Sequence, residues 1–270
     1  MPTPFYHLLL AQDLVVSPDL HPAGADLLRQ NWGAFLLGNI APDVQVVTGQ
    51  NRIETHFFDL PILPGALPPW GRLLRAYPAL TGRLSAEQAV FLAGYICHLA
   101  ADWHWVLQIF APVFGPDCRW ANFGERLYLH NVLRSYLDRQ VVAGMWPEAA
   151  RSLRQSHPRS WLPFASDADL GTWRDVVYPQ LEPGAAISTV EVFAARQGIS
   201  PHAFYALLDS EEQMDLHVFA RVSRQEIQDY RSRLLVDCAG MVQSFLSQYL
   251  VGQSAIRDLF PIRNFGQSGL

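Results

Sequence analysis

The sequence contains no lysine: all 20 of its basic residues are arginine, set against 25 acidic residues. The formal charge is −5 and the pI near 6.0. The chain therefore lacks the basic surplus with which a generic nucleic-acid binder meets phosphate, or a polybasic segment meets anionic lipid. Cysteine is nearly as scarce. Cys97, Cys118 and Cys238 are odd in number, widely spaced and without a C-x-x-C pair. That argues against a disulfide framework or a thiolate metal cluster and points to reduced thiols. No uninterrupted apolar run reaches the roughly 18 residues expected of a membrane span. The opening MPTPFYHLLLAQDLVV has no positive n-region and is broken by Asp13, unlike a signal peptide. These absences predict a soluble, cytoplasmic protein.

Strand-like alternation, internal repeats and low-complexity runs are missing as well. What is present is helical signal. Half the residues are apolar, enough for a substantial core. A helix is expected after Pro4, another over Asp19–Asn31, and an apolar one ending near Gly38–Asn39, where Pro42 forces the chain out and leaves Asp43 on a loop. Asp59 to Gly71 carries four prolines and reads as an irregular segment. Beyond Asn122–Val142, a Pro-interrupted stretch over Ser156–Gly184 suggests a boundary. Residues 1–150 are thus expected to form one helical domain and residues 151–270 a helical C-terminal region packed on it. Ser188/Glu191, Ser210/Gln213 and Ser223/Glu226 have capping-box spacing, and Ser200–Pro201 adds a further helix start. The last helix is expected from Arg224 to about Leu250. The fold class is all-α.

The organising stretch is Ser85–Ala111, SAEQAVFLAGYICHLAADWHWVLQIFA. Ser85 and Gln88 start it, and it is apolar on nearly every side, as in a helix buried in a core. His98 and Asp102 stand four residues apart on one face. A carboxylate there is costly without a positive partner, and Gly94, one turn earlier, leaves room for something to approach. A metal ion would explain all three. A local alternative is that Asp102 merely orients His98. His7, Asp43 and His56 are further polar residues lodged in apolar settings, and a His/carboxylate set without thiolate suits a hydrolytic divalent ion. His104 lies roughly 200° around the helix from Asp102, facing another segment. His130, Arg134 and Asp138 share a stripe. His130 and Asp138 form either a reduced second metal site or a core pair.

An early His, then GNIAPD (Gly38–Asp43), THFF and GYICHLAADWHW (Gly94–Asp102 within it), in that order, resembles the zinc-dependent phospholipase C family, all-helical hydrolases related to the S1/P1-type nucleases. The resemblance spans roughly residues 3 to 140. It implies a multi-helix bundle of that type with a helical C-terminal extension. It also implies one or two zinc ions. Asp43, His56, His98 and Asp102 would hold one ion, and His7 a second that Asp102 bridges. Metal-activated water would attack a phosphodiester, with Asp43 taking its proton or holding it in line. The implied substrate is a small phosphoester or a phospholipid headgroup. A nuclease-like hydrolase, or a helical protein that keeps the metal only for stability, are the alternatives. The chain departs from secreted members, which use a processed amino end as a ligand where this one begins Met1-Pro-Thr-Pro. Those members also carry a His with Glu four residues later where this chain has His130 and Arg134.

Overall fold

A computed structural model describes residues 1–247, and all regular structure there is helical, with no strand. Helix α1 (Pro4–Val16) is capped by Thr3, whose Oγ1 accepts from the Tyr6 amide at 3.2 Å, and Pro4 takes the first helical position. Helices α2 (Pro22–Gln30) and α3 (Trp32–Ile40) follow. The chain does not leave helical geometry at Pro42 as expected. Pro42 sits inside a 3₁₀ turn, Ala41–Val44, because proline is tolerated in a first turn. Asp43 is therefore carried on a rigid turn rather than a loop.

Helix α4 (Arg52–His56) is one turn long, capped by Asn51 Oδ1 on the Ile53 amide and closed by Phe57 in the left-handed region at φ 59°. The Pro-rich segment ends sooner than expected, since α5 (Pro69–Ala76) begins on its last proline. Helix α6 (Ala86–Trp105) continues through a π turn, Val106–Phe110, into Ala111–Phe114. Ser85 caps it as predicted, but Gln88 does not complete the box. Its side chain reaches instead to the Trp161 carbonyl at 3.2 Å. By length and composition Ala86–Phe114 is apolar enough to cross a membrane, yet 89% of its most apolar window is buried inside the fold. It is the core helix.

Helices α7 (Phe123–Gly144) and α8 (Ala149–Arg154) come next. The segment 156–184, expected to be irregular, contains α9 (Asp167–Val177). Ser166 caps it, and Leu170, Trp173 and Val177 bury one face, with Trp173 Nε1 donating to the Ile40 carbonyl at 2.8 Å. Helix α10 (Thr189–Gln197) lacks the expected box, because the Ser188 hydroxyl donates to Gln180 instead. Helix α11 (Pro201–Leu208) begins at Ser200, and α12 (Arg224–Leu246) carries the complete Ser223/Glu226 capping box. The continuation of α12 expected to Leu250 lies, from residue 248, outside the described residues.

The bundle is wound around α6, which packs against α3, α5 and α12. Tyr230 on α12 donates to the Ala101 carbonyl at 3.1 Å, tying that helix to the core. The contact between α3 and α6 is the tightest. A Cβ on Gly38 would stand 2.0 Å from the Phe91 carbonyl oxygen, and one on Gly94 would stand 2.4 Å from that of Phe35. What approaches Gly94 is thus the backbone of α3, not an ion. That close approach places the end of α3 and the turn bearing Asp43 beside His98.

Candidate metal centre

Five of the seven residues singled out in the sequence converge. His98 and Asp102 come from α6, His7 from α1, His56 from the end of α4, and Asp43 from the 3₁₀ turn. His56 Nε2 lies 3.3 Å from His98 Nε2, 3.5 Å from Asp43 Oδ1 and 3.5 Å from Asp102 Oδ2. His98 Nε2 is 4.0 Å from Asp102 Oδ2. The His7 ring stacks on His98 with centroids 3.7 Å apart. The side chains of His7, His56, His98 and Asp102 are buried, whereas Asp43 is 17% and Arg52 27% exposed. Solvent therefore reaches the cluster from the Asp43/Arg52 side.

Hydrogen bonding fixes which ring nitrogens face inward. His98 Nδ1 is 2.7 Å from the Asn39 carbonyl, an acceptor, so Nδ1 carries the proton and Nε2 is bare. Thr55 Oγ1 donates to the Arg52 carbonyl at 3.2 Å, so toward His56 Nδ1, 3.0 Å away, it accepts. That leaves His56 Nε2 bare as well. Tyr95 holds this turn in place by donating to the Thr55 carbonyl at 2.5 Å. Two lone pairs thus face each other at 3.3 Å beside two carboxylates, an arrangement that repels unless a cation lies between.

Other atoms of the cluster also lack a partner. His7 Nε2 is 3.4 Å from Asp102 Oδ1 but out of line for a hydrogen bond. Both His7 ring nitrogens and Asp102 Oδ1 are buried without partners, a costly state. Burial pulls the His7 pKa down to about 4, with His98 adding to the effect, so its imidazole is neutral at pH 7 and able to ligate. For Asp43, burial raises the pKa, but His56 and His98 outweigh it and hold the carboxyl at about 2. For Asp102, burial is likewise outweighed, with the Arg52 guanidinium donating to Oδ2, and its pKa lies well below the carboxylate range. Donors about 2.1 Å from a tetrahedral ion stand about 3.4 Å from each other, close to the spacings around His56. The residues present fit a divalent ion.

Residues 6–105 match the family model of zinc dependent phospholipase C. The match spans less than half of the chain but contains all five converging residues. No curated protein and no solved structure matches the chain.

Within the phospholipase C-like segment, two donor triads satisfy the spacing of a metal site: His7, His98 and Asp102, and Asp43, His56 and His98, with ligand atoms in each within 4.8 Å of one another. The residue common to both is His98. The resemblance instead implied that Asp102 is shared. Asp102 does reach both sides, with Oδ1 toward His7 and Oδ2 toward His56.

Helix α7, beyond the match, does not bring His130 and Asp138 to these donors. His130 Nε2 accepts from Trp105 Nε1 at 3.1 Å, and its ring lies among Phe110, Phe114 and Trp105. Asp138 accepts from the hydroxyls of Thr3 and Thr189. Nor do the two form the alternative core pair, because each is satisfied by different neighbours. His104 faces Asp237 at 3.1 Å, away from the cluster.

Sequence reasoning missed Arg52, whose Nη2 donates to Asp102 Oδ2 and supplies its compensating charge. The signal was its i, i+4 spacing to His56. The amino end of Met1, discounted as a ligand on the sequence because Met1-Pro-Thr-Pro shows no processed terminus, is a further titratable group near the cluster. It lies within charge range of Arg134, Asp102, Arg52 and Asp43, and burial pushes its pKa well below that of an ordinary amine.

Asp138 yields a stability prediction. Burial raises its pKa to about 7, against the lowering effect of the two threonine bonds and Arg134. A carboxyl whose pKa is higher folded than unfolded favours the native state below about pH 4, and that advantage drains away as pH climbs to 7. Between pH 5 and pH 8 the wild type is expected to lose on the order of 2 kcal/mol relative to Asp138→Asn. Urea unfolding of both proteins at the two pH values measures it, and a gap that stays constant with pH contradicts it.

Proposed function

We propose that the cluster holds one or two zinc ions and that the protein hydrolyses a phosphodiester, with phospholipid headgroups as the substrate class. The family match supports a metal-dependent phosphoesterase in general. The observation that carries the finer reading is the pair of bare imidazole nitrogens, His56 Nε2 and His98 Nε2, 3.3 Å apart in a pocket with two ionised carboxylates. Asp43, His56, His98 and Asp102 would hold one ion and His7 would serve a second. When bound, zinc supplies Lewis acidity toward phosphoryl oxygens and lowers the pKa of water toward 7.

The chain's own groups do the rest. The Asn39 carbonyl and the Thr55 hydroxyl lock the histidine tautomers by accepting hydrogen bonds from their Nδ1–H groups. Asp43, ionised and the most exposed of the five, accepts a hydrogen bond from the attacking water and aligns it. Beside the open edge, Phe58, Trp103 and Val106 form a small apolar cluster backed by Met1, Ile62 and Ala66, with Leu63 of the Pro-rich segment exposed. Such a lip suits an acyl chain. The helices from 151 onward would roof the bundle, and among the described residues none of theirs joins the converging donors.

A second reading, a metal kept for stability alone, draws on the burial of four of the five donors. Zinc-loaded protein is expected to release phosphorylated headgroup from phosphatidylcholine micelles faster than it cleaves an oligonucleotide, and chelation should abolish turnover and lower the melting temperature together. Chelation that lowers the melting temperature of a protein with no turnover would favour the second reading. Faster cleavage of the oligonucleotide would favour a nuclease.

A further inference from the structure

Arg134 on α7 is a cation without an anion. Its Nη1 donates to Asn131 Oδ1 at 2.9 Å, its guanidinium carbon lies 4.4 Å from the centroid of the Phe193 ring, and its Nε is buried with no partner. Among the described residues no carboxylate lies within ion-pair distance of it, although Asp138, Asp43 and Asp102 are near enough for their charges to act on it. Burial lowers its pKa to about 10, so it stays charged at neutral pH. The amino end of Met1 feels its charge, together with those of Asp102, Arg52 and Asp43. A guanidinium held this way by an aromatic face and a side-chain amide has its fork pre-organised, and what it lacks is a ligand with oxygen acceptors.

The charge balance points the same way. Asp43 and Asp102 contribute two negative charges, and Arg52 and Arg134 two positive ones, with Arg52 already spent on Asp102. A single divalent ion then leaves these groups positive by two, or by one where Asp138 is ionised, and a bound anion would offset that charge. The residue as a whole keeps partial exposure although its Nε is buried.

We propose that Arg134 is the anion-recognition residue of this site, its guanidinium binding a non-bridging oxygen of the substrate's phosphoryl group. The inference rests on the phosphoesterase reading for the identity of the substrate but is tested by binding alone. Zinc-loaded full-length protein is titrated with inorganic phosphate by calorimetry, in the wild type and in Arg134→Gln and Arg134→Lys. Arg134→Gln is expected to bind phosphate ten- to a hundredfold more weakly, about the worth of one charged hydrogen-bonded contact, with zinc content unchanged. Arg134→Lys should recover part of the loss. In turnover the Gln variant should raise KM more than it lowers kcat. Phosphate bound by zinc-loaded Arg134→Gln as tightly as by the wild type overturns the proposal.

Should the variants unfold, the wild-type Arg134 Nε–H resonance is followed by NMR during the phosphate titration. It is expected to shift in step with binding, and a resonance that stays put overturns the proposal. Phosphate binding that depends on Arg134 in a protein that cleaves no phosphoester would sustain this inference while removing the hydrolase reading.

Discussion

Asp102→Asn protein is expected to lose at least about a thousandfold in kcat/KM for phosphodiester cleavage and to retain less than half of the wild-type zinc. The reason is positional. Asp102 presents one oxygen to His7 and the other to His56 and Arg52, so no other carboxylate meets both halves of the cluster. An amide in its place offers one neutral oxygen and a pair of N–H donors, which repel a cation. The same change should cost the metal-free protein little. Arg52 is 27% exposed, so it can turn toward water when its partner loses charge, and partly exposed ion pairs contribute about 1 kcal/mol or less.

The expected pattern is therefore selective: near-normal melting without metal, and loss of the rise in melting temperature that zinc confers on the wild type by mass action. Elemental analysis, headgroup release and calorimetry with and without zinc read the three quantities. Normal turnover by Asp102→Asn would end the metal-hydrolase reading. A large loss of melting temperature in the metal-free variant would show that Asp102 is chiefly structural.

The helical class and the five converging residues were legible because each left a local mark: polar side chains in apolar runs, i, i+4 spacing on α6, and the ordered G-x-x-x-P-D and G-Y-x-x-H-x-x-x-D strings. What was not legible depends on who stands opposite whom. His130 and Asp138 share a stripe with Arg134, and spacing alone made them a plausible pair. Only the fold reveals that Trp105 and two threonines have already claimed them. The same holds for α9. Its Ser166 cap and Leu170/Trp173/Val177 face were in the sequence, but the prolines at either side outweighed them until packing against Ile40 supplied the burial. Gly94 was misjudged for a related reason. A glycine one turn before a candidate ligand reads equally as space for an ion or for a neighbouring backbone, and the choice is made by α3.

That contact gives the second large effect. Gly38→Ala would place a methyl group 2.0 Å from the Phe91 carbonyl oxygen and 3.0 Å from the Tyr95 amide nitrogen, both backbone atoms that no rotamer change can move. The helices must part by about 1 Å or more, and overpacking of this kind costs roughly 3 kcal/mol. The damage would not stay local. Asn39, the next residue, fixes the His98 tautomer through its carbonyl, Tyr95 holds the turn before His56, and Asp43 follows within the same piece of chain. Zinc affinity should therefore fall at least about tenfold along with stability, as when a ligand's supporting hydrogen bond is lost. Gly240→Ala is the control. Gly240 lies in α12, where an added Cβ meets nothing within 4 Å, and alanine in place of a helical glycine should stabilise by about 0.5–1 kcal/mol. Urea unfolding and zinc titration of the two variants separate the outcomes. A Gly38→Ala protein that melts with the wild type would mean that α3 and α6 are not pressed together as described, and the donors they carry would lose their common frame.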